Sequence, residues 1–124
     1  MDLTTARTEK TIDELTGQFR DLLREWAQEA GESQTITLDE LERGVREGLQ
    51  ALGGNIRQKL VDLVGTGKTE VPLRCPDCGQ PLAFVRYQDK WVGTLLGTIR
   101  PTRAYYHCAD CQAGYVPLDH QLGL

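Results

Sequence analysis

Four cysteines carry the chemistry available to this 124-residue chain. They stand as Cys75-Pro76-Asp77-Cys78 and Cys108-Ala109-Asp110-Cys111, two Cys-x-x-Cys pairs with 29 residues between Cys78 and Cys108. Two intervening residues let both sulfurs of a pair face one ion while nearby backbone N–H groups offset the thiolate charge. Gly79, behind the first pair, permits the left-handed turn that follows. Two such pairs supply the four soft ligands of a tetrahedral Zn2+ at about 2.3 Å. Other fates for the same thiols weigh less: an iron held as in rubredoxin, an iron–sulfur cluster, or a redox-active pair, which would want a βαβ context that is missing here. With four protein ligands the ion keeps no open position for water activation, so the expectation is a structural zinc and no enzyme. His107 and His120 fall outside the pair spacing and read as ordinary strand or surface histidines.

These ligands must be positioned by short strands. From Val71 onward helical periodicity is lost, and β-branched, aromatic and turn residues take over. The pattern predicts strands over Leu82–Tyr87, Lys90–Leu95 and Thr98–His107, turning at Gln88-Asp89 and at Leu96-Gly97, as a three-stranded antiparallel meander. Pro101 lacks a ladder donor and marks an edge or a bulge. The expected second unit is thus a small four-cysteine zinc ribbon of rubredoxin-like form over residues 68–124.

Ahead of it, the apolar residues Ile12, Leu15, Phe19, Leu22, Leu23 and Trp26 recur in steps that align on one helix face. This predicts a helix from Thr11 to about Ala30, ended by Gly31, although Thr4, Thr5 and Thr8 leave room for an earlier start. Thr37 and Glu40 form a capping box for a second helix starting at Leu38, with Ile36 and Leu41 as a hydrophobic staple. Its stripe runs Leu38, Leu41, Val45, Leu49, Leu52, Ile56, Leu60 and Leu63 and ends at Gly65 and Gly67; Gly53-Gly54 within it asks for packing partners or a kink. A short connection makes the two helices antiparallel neighbours, so residues 1–67 are expected to form a helical hairpin and the chain as a whole an α+β protein. Two helices cannot cover both stripes, and surplus apolar surface near Ile56, Leu60 and Leu63 predicts a homo-oligomer built through the helices.

Composition sets limits on function. No apolar run approaches the length of a membrane span, and mean hydropathy is -0.41, so no membrane partner is expected. The opening residues Met1-Asp2-Leu3-Thr4-Thr5 lack the pattern of a secretion signal, which predicts a cytoplasmic protein, where paired thiols ligate metal more often than they form disulfides. Residues 1–67 hold 8 basic and 13 acidic side chains, and residues 68–124 hold 6 and 5. Any contact with DNA therefore belongs to the second unit. There Arg74, Arg86, Lys90, Arg100 and Arg103 alternate with Tyr87, Trp91, Tyr105 and Tyr106, a mixture that suits phosphate neutralisation with base stacking. It equally suits a small aromatic core with a solvated charged rim. Gly65-Thr66-Gly67-Lys68-Thr69 is not a phosphate-binding loop, because Asp62 stands where that motif requires glycine and the segment follows a helix; it reads as a flexible linker. The single serine, Ser33, and the scattered carboxylates offer no catalytic constellation.

The stretches Arg74-Cys75-Pro76-Asp77-Cys78-Gly79, Thr94-Leu95-Leu96-Gly97-Thr98-Ile99, Tyr105-Tyr106-His107-Cys108 and Pro117-Leu118-Asp119-His120-Gln121-Leu122-Gly123-Leu124 are distinctive in combination. Over roughly residues 35 to 124, from the helix that begins Thr37-Leu38-Asp39-Glu40-Leu41-Glu42, the chain resembles the zinc-ribbon N-terminal region of Kra-type bacterial insertion-sequence transposases. The resemblance implies zinc-ligand roles for Cys75, Cys78, Cys108 and Cys111, and DNA end recognition by the ribbon. The catalytic region with its acidic triad, which follows in that family, is not among these residues. Two expectations result: a non-catalytic zinc protein that binds DNA, or an adaptor that uses the same module to bind another protein.

Overall fold

The computed structural model describes residues 3–124. The chain divides into two compact units, with the division between Leu63 and Val64, and it is α+β: two long helices followed by small antiparallel sheets. Among the described residues no helix is long and apolar enough to cross a membrane.

Helix α1 spans Leu3–Glu32 and α2 spans Leu38–Val64. The first begins well before Thr11, because residues 4–10 contain neither glycine nor proline to stop it; the Thr8 hydroxyl donates back to the Thr4 carbonyl at 2.9 Å, inside the helix. Helix α2 starts where its capping box predicts, with the Glu40 N–H donating to Thr37 Oγ1 at 3.1 Å. It runs unbroken through Gly53-Gly54. The helices form an antiparallel hairpin: Asn55 Nδ2 donates to Gln18 Oε1 at 3.2 Å, Lys59 pairs with Glu14 at 3.3 Å, and an Arg7 guanidinium N–H donates to the Asp62 carbonyl at 3.2 Å. At Gly48 the approach is close enough that a Cβ would sit 2.5 Å from the Trp26 ring. Among the described residues of the two helices, only Leu52 is buried.

The second unit is organised around one long ribbon. Strand β1 (Ala83–Asp89) pairs antiparallel with β4 (Thr102–His107), and β2 (Val92–Thr94) pairs with β3 (Gly97–Ile99). The register is unbroken between the two ladders: three residues on from Asp89 and three back from Thr102 lead to the Val92–Ile99 pair. The Lys90 N–H donates to the Pro101 carbonyl at 3.3 Å within the gap. Arms 83–94 and 97–107 are therefore two sides of one hairpin, interrupted where Pro101 has no N–H to give. This corrects the predicted meander. Gln88 and Asp89 lie inside β1 and do not turn, β1 never pairs with β2, and the tip is Leu95-Leu96, followed by Gly97 at φ 106°. The third strand of the main sheet is instead β5 (Gly114–Tyr115), giving the order β1-β4-β5. A bulge at Val85 shifts the register by one and brings Phe84 and Tyr87 onto one face, their ring centroids 5.2 Å apart.

A short helix, α3 (Pro117–Leu122), packs on β4 and was not expected from periodicity. Proline begins it and Gly123, at φ 71°, closes it. Leu118 on this helix is wholly buried, with Ala104 and Tyr106 of β4 and with Ile99 as other core members of the unit. The segment after α2 is no free linker: the Ala104 N–H donates to the Thr66 carbonyl at 2.9 Å, the Thr69 N–H donates to the Tyr106 hydroxyl at 3.2 Å, and Gly67, at φ 87°, lies against Leu118. These bonds hold residues 66–69 along the far side of β4, so the unit boundary precedes Gly65 instead of following Gly67.

Candidate metal centre

The two Cys-x-x-Cys turns adopt matching backbones. In the first, the Cys75 N–H donates to the Gln80 carbonyl at 2.8 Å and Gly79 sits at φ 75°; in the second, the Cys108 N–H donates to the Ala113 carbonyl at 2.9 Å and Gln112 sits at φ 60°. Each turn thus folds back on itself over the same number of residues, with a left-handed residue directly behind its second cysteine. Glycine takes that conformation freely, whereas Gln112 is anchored there by its own side chain, whose Nε2 donates to the Ala109 carbonyl at 2.6 Å. The glycine is visible in the sequence as a turn signal, and Gln112 is not.

The first turn leads into β1 and the second follows β4. Pairing of β1 with β4 brings their cysteine-bearing ends together, since Ala83 lies opposite His107. The four sulfurs all lie within 4.8 Å of one another. Cys75 Sγ is 3.5 Å from Cys111 Sγ, and Cys78 Sγ is 3.4 Å from Cys108 Sγ. A tetrahedron with metal–sulfur bonds of about 2.3 Å has edges of about 3.8 Å, so the cluster has the dimensions of a four-thiolate metal site. All four are free thiols; Cys75 and Cys108 are buried, while Cys78 and Cys111 face solvent. The two inner sulfurs are held by the core, and the two outer ones leave an entry path for an ion.

Backbone donors aim at the sulfurs. The Cys111 N–H, aided by that of Asp110, holds the Cys108 thiol down at about 7. At the outer cysteines the N–H groups of Gln80 and Ala113 also favour the thiolate, but the sulfurs crowded beside them, together with partial desolvation, prevail: Cys78 is raised, and Cys111 is pushed up to about 12. At Cys78 and Cys111 the neighbouring sulfurs thus oppose ionisation. A bound cation removes that opposition, which is the electrostatic reason such a cluster fits a metal. No other group of three or more His, Cys, Asp or Glu side chains converges in this way among the described residues. His120 instead stacks on Tyr115, with centroids 4.9 Å apart.

The five cations singled out in the sequence do not form one patch of free charges. Arg103 is buried, and its Nη1 donates to Asp119 Oδ2 at 2.6 Å, tying β4 to α3. Lys90 lies 4.0 Å from the same carboxylate oxygen. Arg100 pairs with Asp89 at 3.3 Å and lies over Trp91, 5.3 Å from its ring centroid. Arg86 lies over Tyr105 at 5.0 Å, and an Arg74 guanidinium N–H donates to the Gly79 carbonyl at 3.3 Å. The feature that sequence reasoning missed is the far end of the ribbon, where Leu95 is fully exposed and Trp91 is 67% exposed. Misplacing the turn by one residue hid it.

No protein-family model, no curated protein and no solved structure matches the chain. What fold and site define is an α+β protein in which Cys75, Cys78, Cys108 and Cys111 lie close together and can hold a metal ion.

Proposed function

We propose that this is a non-catalytic binding protein whose second unit is a zinc ribbon of rubredoxin-like form, cross-linked by one structural Zn2+ on Cys75, Cys78, Cys108 and Cys111. The observation that carries the reading is the convergence of four sulfurs from two turns of the same backbone form. Zinc is taken over iron because an all-thiolate tetrahedral set suits a d10 ion whose part is to fold the chain. Filling all four positions with sulfur leaves none for a substrate or a reactive water.

The binding partner supported best is another protein, engaged by the distal end of the ribbon through Trp91, Leu95 and Leu96. Large apolar side chains held in solvent at a strand tip suit a protein groove. The unit's charge points the same way: residues 68–124 carry +1 with neutral thiols, and four thiolates with one Zn2+ add a formal charge of about -2. A second reading, DNA binding by Arg74, Arg86, Lys90 and Arg100, draws on the resemblance to transposase ribbons and on the stacking of Arg86 and Arg100 over aromatic rings.

Elemental analysis of the purified, reduced protein tests the first part, with one zinc per chain expected; iron, or no metal, overturns it. Titration with duplex and single-stranded DNA at about 50 and 200 mM salt tests the second. Absent or salt-independent binding agrees with a protein partner, whereas affinity that drops steeply with salt and is lost in Arg86→Ala/Arg100→Ala establishes the DNA reading.

A further inference from the structure

The two faces of the helical hairpin differ sharply. Leu15, Leu22 and Trp26 of α1 and Leu52 of α2 are half-buried or buried along the seam between the helices, where Trp26 and Leu22 lie against Gly48 of α2. To one side of this seam a shallow cleft is rimmed by Gln18, Asp21, Glu25 and Asn55. To the other side point Ile12, Phe19 and Leu23 from α1, and Leu49, Ile56 and Leu60 from α2. At 100° per residue each trio spans only about 40° of its helix, and in each the spacing is the same, i, i+7 and i+11. All six side chains are between 36% and 53% exposed. The helices run antiparallel and their cleft residues lie on one side, so both trios fall on the opposite side and merge into one apolar face.

We propose that this face is the contact between two copies of the chain, stacking two hairpins into a four-helix layer pair. Three observations select a second copy over other occupants. First, a two-helix unit with one buried side chain among its described residues lacks a core of its own, and doubling it supplies one. Second, α2 is 27 residues long, so the whole side of the hairpin that carries the six residues is about 40 Å by about 20 Å, roughly 800 Å2 per partner; the apolar patch, about 17 Å along the helices, lies at its middle with more polar ends, the arrangement of an apolar centre and polar rim that stable interfaces show. Third, the antiparallel pairing of Gln18 with Asn55 and of Glu14 with Lys59 puts the two trios at the same level, so a two-fold axis along the hairpin lays the α1 trio of one copy over the α2 trio of the other, apolar on apolar, as an isologous contact requires. A lipid surface is disfavoured, because residues 1–67 carry a net charge of -5 and the cleft side presents carboxylates where interfacial helices carry lysine and arginine. The contact does not depend on the metal centre.

Sedimentation of the zinc-loaded full chain from about 1 to 100 μM tests it, with a mass of twice 13.9 kDa expected. The double substitution Phe19→Glu/Ile56→Glu is expected to weaken association at least 100-fold or so, with zinc content unchanged, while Glu25→Ala on the cleft side leaves the mass unchanged. A monomer across the whole range for the wild type overturns the proposal, as does a dimer that withstands Phe19→Glu/Ile56→Glu. If that variant loses its helical circular dichroism, the wild type decides: helicity that falls together with mass on dilution supports the contact, and helicity that persists in a monomer refutes it.

Discussion

The two units of this protein are close to equal in length yet are built on opposite plans. The hairpin has long, uninterrupted secondary structure and, among its described residues, one buried side chain, Leu52. The C-terminal unit has strands of two to seven residues and a short helix, yet it buries Cys75, Ile99, Ala104, Tyr106, Cys108 and Leu118. Length of regular structure is therefore no guide to where the interior lies. Local hydrogen bonds define a helix without any core, whereas short strands persist only when contacts distant in sequence hold them. In the second unit those contacts are the cysteine cluster at one end of the ribbon and the packing of β4 against α3 and residues 66–69. The described residues of the hairpin have no counterpart to these contacts, and the apolar side chains Ile12, Phe19, Leu23, Leu49, Ile56 and Leu60 stay partly exposed.

The contrast is broken most directly at Cys108, which is fully buried. Cys108→Ser is expected to abolish metal binding and unfold the C-terminal unit, since structural zinc sites contribute about 10–16 kcal/mol to small domains. All four tyrosines lie in that unit, so their near-ultraviolet dichroism should vanish while the far-ultraviolet helical signal remains largely intact. Acidification should act in the same direction. Each sulfur must lose its proton to bind the ion, so metal affinity falls as pH falls, and release is expected between about pH 6 and 4, measured with a colorimetric zinc indicator.

A smaller effect is expected at the ion pair that joins β4 to α3. Arg103 Nη1 and Asp119 Oδ2 are 2.6 Å apart, and Arg103 Nε and Asp119 Oδ1 are buried with no protein hydrogen-bond partner. Asp119 keeps Lys90 nearby when Arg103 is removed, whereas removing the carboxylate strands the buried guanidinium, so Asp119→Ala should cost about 2–4 kcal/mol in urea unfolding followed by tyrosine fluorescence. Arg103→Leu/Asp119→Leu should recover most of that loss, because neither charge is then left in the interior. An equal loss in both variants would show that the pair contributes through packing alone.

The smallest effect sharpens the likeness between the two turns. Gly79→Ala should destabilise by about 1 kcal/mol, because its φ of 75° is unfavourable for a side chain. Gln112→Gly should stabilise by up to about 1 kcal/mol at the equivalent position, where φ is 60°. Thermal unfolding of the zinc-loaded protein measures both, and a loss in Gln112→Gly would mean that the side-chain bond to Ala109 outweighs the strain.

Several elements were legible in the sequence because their causes are local. The capping box at Thr37 and Glu40 starts α2 where it was expected, since a hydroxyl and an N–H three residues apart need nothing else to meet. The cysteine spacing marked the candidate site, and each turn closes on itself within six residues. The start of α1 stays open in the sequence between Thr11 and the earlier threonines, because residues 4–10 carry no apolar stripe and yet nothing in them stops a helix. Helix α3 was missed because six residues are too few to show a period.

What the sequence determined by itself was therefore the chemistry of the cysteine turns, the amphipathic helices and their caps, all settled by interactions over a few residues. Tertiary structure decided the partners: β4 next to β1 and β5, residues 66–69 against β4, and Arg103 turned inward to Asp119 instead of outward. Such choices compare alternative pairings across distant parts of the chain, and their energies depend on which surfaces end up buried together. A run of residues read in order contains the groups that can meet, but the burial that selects among them exists only once the chain has folded.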